Sequence, residues 1–362
     1  MSAFADGFSS PHRSHRDAAS PSAASPATPT SSPSNSSSPI NPAGPQPATE
    51  ETSPASDDLS DQPAADSGLA RIGSVTQWTL RGTELDEDIS AAEAAGLAGI
   101  GLNLLKVDEY GRERTIERLA ASPLSVTSLD WISNFTGFNR YSWDDEIKSA
   151  TRTIRLAQRL GCRTVTVLTG PRGTQLHKRA EQLVVEALLE LAPVAEDAGV
   201  HLALMPMQKC CREEWTYLHT LPHAVRLLER VGSPNVGLLF HAFHLFNQPG
   251  LPIEIQRAAD WIKLVRLSDW DRGSSHENDQ RFPGQGQLPL AAMIDWLTAA
   301  GYAGELEVDV WSPGVWRQDV ALTLAQTRGF CQSACPSPLG EQAPAAPVPA
   351  RTFEAVLSSV RT

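Results

Sequence analysis

Eight short apolar runs, each followed by a helical pattern or by a loop leading to one, constrain this chain more than any single motif does. The runs fall at 72–80, 99–105, 124–131, 163–168, 200–205, 236–240, 262–267 and 306–310. Each is short for a free-standing helix, and Arg163-Thr-Val-Thr-Val-Leu168 has the β-branched density of a strand. Helical periodicity lies between them at 89–95, 115–121, 143–160, 176–198, 221–231, 253–259, 289–300 and 319–331. Such alternation requires a parallel sheet with right-handed crossovers, and eight units close into a barrel. The expected class is α/β, a (β/α)8 TIM barrel in one domain. A doubly wound open sheet is the alternative, but no Gly-x-Gly-x-x-Gly follows the first strand.

Composition sets the boundaries. Residues 1–68 are mostly Ser, Pro, Ala and Thr with almost no large apolar side chains, so they cannot offset their ordering entropy and are expected to form a disordered tail. The barrel then occupies 69–333. From 334 to 362 the chain turns Pro/Ala-rich again, a flexible segment with room for a short helix at 352–360. Thr83-Glu-Leu-Asp86 reads as a capping box in its Asp form, Ser142 as the cap of the helix that Gly161 ends, and Pro193 as a kink.

The first residues lack a charged start followed by an apolar core, and no run reaches the roughly 18 apolar residues of a membrane span. A cytoplasmic location without membrane attachment is expected. Cys162, Cys210, Cys211, Cys331 and Cys335 are few and odd in number, which argues for reduced thiols, with a metal or redox role open to the adjacent Cys210-Cys211. A formal charge of −12 disfavours nonspecific attraction to nucleic acid.

In a barrel the strand ends and the loops after them carry the chemistry. That selects Lys106, Asp130, Trp131, Met205, Gln208, His241, His244, Arg266, Asp269, Trp270, Asp309 and Trp311. His241 and His244 end the sixth run, where a pair three apart can ligate a metal, move protons or pack in the interior. Trp131, Trp270, Trp311 and Trp316 suit either the floor of a sugar pocket or rim packing. Asn134-Phe-Thr136 is a glycosylation acceptor only in a secreted protein and is set aside.

The order of several segments resembles the xylose isomerase-like TIM barrels, in particular their sugar phosphate isomerase/epimerase branch, over roughly residues 72–331. The segments are Ala94-Ala-Gly-Leu-Ala-Gly-Ile-Gly-Leu, Leu202-Ala-Leu-Met-Pro-Met, Val236-Gly-Leu-Leu-Phe-His-Ala-Phe-His, Val265-Arg-Leu-Ser-Asp-Trp, Asn278-Asp-Gln-Arg-Phe-Pro-Gly-Gln-Gly and Gly301-Tyr-Ala-Gly-Glu-Leu-Glu-Val-Asp-Val. The resemblance implies a divalent cation (Mn, Mg, Co or Zn) held by Glu, Asp, His and Glu from strands five to eight, polarising a sugar carbonyl while carboxylates move a proton at carbon. At the matching positions this chain has Met205, His241, Arg266 and Asp309. A thioether is a poor ligand for a hard cation and cannot transfer protons, and a guanidinium repels a dication.

Three outcomes fit this pattern. The expected one is loss or impairment of the metal-dependent mechanism, with no cofactor, in a barrel that binds a small polyol, a carbohydrate or a protein. The second is a relocated metal site of His241, His244 and Asp309, completed by Asp269, His276 or a Cys210-Cys211 thiolate. The third is metal-free sugar chemistry in which Arg266 is the electrophile, Asp309 or a histidine is the base and Lys106 or Arg281 holds an anionic group. Candidate catalytic residues are thus His241, Arg266 and Asp309; candidate substrate contacts are Lys106, Trp131, His244, Asp269, Trp270 and Arg281. An internal pairing of Arg266 with Asp309 or Asp269 is the structural alternative.

Overall fold

In the computed structural model, residues 71–137, 142–274 and 276–334 are described. Among them eight parallel strands close in sequence order into a barrel, β1 pairing with both β2 and β8. The strands are β1 (Arg71–Thr76), β2 (Gly99–Asn103), β3 (Ser125–Ile132), β4 (Thr164–Val167), β5 (His201–Leu204), β6 (Val236–His241), β7 (Ile262–Leu267) and β8 (Glu305–Val308). The longer helices are α1 (Leu85–Ala94), α2 (Leu104–Tyr110), α3 (Arg112–Ala120), α4 (Trp143–Arg159), α5 (His177–Ala198) and α6 (Leu221–Val231). The short α7 (Ala242–Leu245) leads to α8 (Leu251–Ala258), α9 (Leu290–Ala299), the short α10 (Pro313–Trp316) and α11 (Val320–Ala334). This is the barrel that strand–helix alternation predicts. The expectations for 1–68 and 352–360 lie outside the described residues.

Periodicity explains what the barrel encloses. Side chains alternate between the two faces of a strand, so residues two apart share a face. One face of each strand packs under the helices, where Val165, Leu202, Leu238 and Val265 join the large core between sheet and helices. The other face fills the barrel axis, where Ala203, Met205, Leu239 and Leu264 form a second cluster with Trp78, Leu168, Met207, Cys211 and Trp311. The polar side chains of the axis follow the same alternation, as with Ser128 and Asp130 on β3 or Glu307 and Asp309 at the end of β8.

The run 72–80 is strand only to Thr76 and turns from Gln77, and three capping signals also differ from expectation. The run 99–105 is strand only to Asn103, whose side chain then accepts the Leu105 N–H and caps α2. An Asn in this position switches the chain from strand to helix before the apolar run ends. The capping box at Thr83 does not form. The single O–H of Thr83 instead has the Leu80 carbonyl and the Asp88 carboxylate as acceptors within reach, and α1 begins after Glu84 without a side-chain cap. Ser142 does stand at the N-cap of α4, but its backbone carbonyl, not its side chain, meets the first turn, accepting from Asp145 and Glu146.

Candidate functional site

At the strand ends the polar side chains of the barrel axis converge on one cation. Arg266 of β7 is 1% exposed and lies in register with His241 of β6 and Glu307 of β8. Its Nε donates to Glu307 at 2.8 Å, and one terminal nitrogen donates to Asp130 at 2.8 Å and to Ser128 at 3.0 Å. The other terminal nitrogen is 3.8 Å from Asp309. Glu307 also accepts from Thr127 at 2.5 Å and Ser128 at 2.7 Å, and Asp130 accepts from Thr166 at 2.6 Å. Asp309 accepts from Thr76, from the Trp311 indole N–H at 3.3 Å and from His241 Nε2 at 3.1 Å. Three carboxylates thus face one guanidinium, and the hydroxyls of Thr76, Thr127, Ser128 and Thr166 also donate to them.

Close approach is secured by Gly101 of β2. A Cβ there would sit 2.6 Å from Ser128 Oγ and 2.9 Å from Glu307 Oε1, so a side chain would displace the network.

Burial and charge set protonation here. Burial pushes Asp130 up to about 6, outweighing the attraction of Arg266, and the nearby Asp309 adds to the rise. Burial would also raise Asp309, yet Arg266, His241 and Thr76 together hold it down at about 2. Arg266 is held well above its ordinary value because the three carboxylates overcome its burial. Burial lowers His241 despite its bond to Asp309, so that ring is neutral. His244, at the next turn, is lowered further by burial and by His241. Both of its nitrogens lack a partner among the described residues, and its ring packs 4.6 Å from His241 and 5.2 Å from Phe243.

An indole layer covers the network. Trp78 stacks on Trp131 at 4.9 Å and meets Trp311 at 5.1 Å, while Trp215 stands edge-on to Trp131 at 5.2 Å. Trp316 donates to the Trp78 carbonyl at 2.7 Å, and Arg81 lies over both rings. Met205, expected near the centre, packs in the apolar cluster that includes Leu239, Leu264 and Trp311. Trp131 and Trp215 are half-buried at the rim.

The remaining sequence candidates fall elsewhere. Lys106 is buried, donating at 2.6 Å to Asp88 and at 2.7 Å to the Leu80 carbonyl. Asp269 organises the loop after β7, accepting backbone N–H groups from Trp270, Gly284, Gly286 and Leu288. It does not meet Arg266, whose partners are Asp130, Glu307 and Asp309. Arg281 is exposed and pairs with Asp271 at 2.6 Å, Trp270 lies against Phe246, and Gln208 donates to the Phe243 carbonyl.

His241, His244 and Asp309 do not form a closed ligand set. Among the described residues the groups whose ligand atoms all lie within 4.8 Å of one another are Cys210–Cys211–Glu277 and His177–Glu181–His223. Glu307 was missed in the sequence, although Leu306-Glu-Val-Asp309 places two carboxylates two apart on one face of a strand.

A sequence model of the xylose isomerase-like TIM barrel family matches residues 89–327. The chain belongs to this family. Relatives include the inosose isomerase of Bacillus velezensis, 27% identical over 264 residues that cover 68% of this chain and 90% of that protein. The L-ribulose 3-epimerase of Mesorhizobium japonicum is 29% identical over 270 residues, 72% of this chain and 88% of that protein. The 3-dehydroshikimate dehydratase of Pseudomonas aeruginosa is 28% identical over 67% of this chain but only 38% of its own length. Among solved structures, the IolI protein with a zinc atom superposes with a TM-score of 0.65 at 18% identity, over 72% of this chain and 96% of that one. An L-ribulose 3-epimerase superposes with a TM-score of 0.62 at 22% identity, over 81% and 99%. At these identities the superpositions establish the fold. No helix among the described residues is long and apolar enough to cross a membrane.

Proposed function

We propose that this family member is impaired in, or lacks, metal-dependent proton transfer at carbon, and that it binds a small carbohydrate or polyol without the family's usual chemistry. The single observation that carries this reading is the Arg266 guanidinium, 2.8 Å from Asp130 and Glu307 and 3.8 Å from Asp309, in the position where the family pattern calls for a metal-binding imidazole. A dication placed among these groups would meet a fixed positive charge at contact distance. The other donors fit a cation no better. Met205 offers a thioether within an apolar cluster, and His241 Nε2 is engaged by Asp309. The guanidinium neutralises part of the carboxylate charge that would otherwise draw a metal, so the centre is an internal ion-pair network.

The ligand class rests on the relatives, which are named for an inosose and for L-ribulose. Trp131 and Trp215, half-buried at the rim, are the aromatic groups against which the C–H faces of such a ligand would pack. The test is incubation of the full chain with L-ribulose and, separately, an inosose in D2O, with and without Mn, Mg, Co or Zn, reading deuterium at carbon by NMR. No metal-stimulated exchange is expected. Metal-stimulated exchange that disappears in a folded Asp309→Asn variant sinks the proposal, and exchange without metal that depends on Arg266 selects the metal-free alternative.

A further inference from the structure

Away from the barrel axis, two helix starts bring three further ligating side chains together. α5 begins at His177, so His177 and Glu181, four residues apart, lie on one face a single turn from each other. α6 begins at Leu221, and the Thr220 side chain accepts the His223 N–H, which fixes His223 in the first turn. His223 Nε2 lies 3.2 Å from Glu181 Oε2, and His177 Nε2 lies 3.5 Å from the same oxygen. The other carboxylate oxygen of Glu181 is held by Arg230, which orients it.

The two histidines border a cavity of about 510 Å³ whose wall also includes Arg172, Lys209, Arg212 and Tyr217. Tyr217 supplies an independent sign of a ligand. It is 6% exposed, and its hydroxyl has no hydrogen-bond partner among the described residues. Its ring lies 5.6 Å from His177 and 5.8 Å from His223. Buried hydroxyls are normally paired, and the ring that carries this one stands beside the two imidazoles.

We propose that His177, Glu181 and His223 bind a divalent transition cation, zinc by preference, with the fourth coordination position open to the cavity. Two imidazoles and one carboxylate are the donor set of three-ligand zinc sites that keep a position free. Tetrahedral bonds of about 2.1 Å place neighbouring ligand atoms about 3.4 Å apart, and the two separations from Glu181 Oε2 are 3.2 and 3.5 Å. Arg172, Lys209 and Arg212 make the cavity wall basic, so the fourth ligand it favours is an anion such as phosphate or a carboxylate. The site is independent of the Arg266 network, with which it shares no residue.

The test uses the full chain, purified without a histidine tag, stripped of metal and titrated with Zn²⁺ alone by calorimetry and with Co²⁺ alone by visible absorption. One equivalent is expected, with a tetrahedral cobalt spectrum free of sulfur-to-metal charge transfer. Binding should weaken by about 100-fold or more in His177→Ala and in Glu181→Gln and stay unchanged in Asp309→Asn. His177 has a side chain 60% exposed, so its replacement leaves the fold intact, and circular dichroism verifies each variant. Absence of binding overturns the proposal, as does binding indifferent to both substitutions. Thiolate charge transfer would assign the metal to Cys210–Cys211–Glu277 and overturn it. Binding lost with Asp309→Asn would assign the metal to the barrel axis and overturn the reading of the Arg266 centre too.

Discussion

Arg266 Nη1 lies 3.8 Å from Asp309 Oδ2 with both side chains withdrawn from solvent, and with Asp130 and Glu307 at 2.8 Å the guanidinium charge is compensated inside the barrel rather than presented to a ligand. Removing one member of a buried ion network exposes the rest to uncompensated repulsion. Arg266→Met leaves Asp130, Glu307 and Asp309 facing one another in the interior and should cost about 3–5 kcal/mol of stability, measured by urea unfolding. A loss below about 1 kcal/mol would mean that the network contributes no more than a surface pair.

Asp130 and Asp309 give the network opposite pH dependences. A carboxyl raised by folding retains its proton longer when native, so stability falls as pH rises from the unfolded value of 3.8 through about 6 for Asp130. Asp309 is depressed to about 2, so its contribution is complete above 3.8 and fades as pH falls through 2. His241 and His244, lowered by burial, add stability that is lost on acidification. The Asp130 contribution is therefore isolated by difference. Between pH 4 and 6 the stability of Asp130→Asn relative to the unaltered chain should climb with pH, by an amount on the order of 2 kcal/mol. Parallel stability–pH curves for the two proteins would show that Asp130 is not raised.

How much of this was legible depends on range. The barrel followed from local periodicity, and β7 and α6 fall within the residue ranges that the pattern predicts. The sequence offers Arg266 a pairing with Asp309 or Asp269; Asp309 lies 3.8 Å away, whereas Asp269 is taken up by the loop after β7. Glu307 and Asp130 as co-partners were not anticipated, since they depend on the inward face of β8 and on β3 across the barrel. Lys106 illustrates the limit in the other direction. A strand-end position suggested a ligand contact, yet α2 begins at Leu104 and turns Lys106 back onto Asp88. The cluster of His177, Glu181 and His223 had a half-signal, a His and a Glu four apart at a helix start. Its third member comes from a helix 44 positions later that only the packing of α5 on α6 identifies.

His244 is buried among rings with neither nitrogen bonded, and an unpaired buried polar group costs about 1–3 kcal/mol. His244→Phe keeps the ring and removes the two unpaired nitrogens. It should leave stability unchanged or raise it by about 1 kcal/mol, read from the thermal midpoint. Destabilisation together with loss of a bound metal would instead make His244 a ligand.

The thiols should separate by reactivity. Cys210 is exposed, and the Cys211 sulfhydryl 3.7 Å away lowers it to about 7, whereas burial pushes Cys162 up to about 12. Iodoacetamide at neutral pH should alkylate Cys210 well before Cys162, with mass spectrometry of peptides as the readout. Equal rates would contradict the difference in thiolate character.

The loop after β7 hangs on one carboxylate. Asp269 accepts four backbone N–H groups, from Trp270, Gly284, Gly286 and Leu288, while its own N–H and carbonyl pair with Arg281. Removing a charged acceptor leaves several donors unpaired together, so Asp269→Ala should cost about 3 kcal/mol. It should also raise amide exchange at Gly284, Gly286 and Leu288. Gly286→Ala tests the same contact from the other side, because a Cβ there would come within 2.4 Å of Asp269 Oδ1 and of the Trp270 carbonyl. Both variants should loosen the same loop while leaving β1 through β6 protected. Exchange that rises uniformly over the barrel would show that Asp269 supports the whole fold, and unchanged exchange would show that the loop is held by its apolar contacts at Phe282 instead.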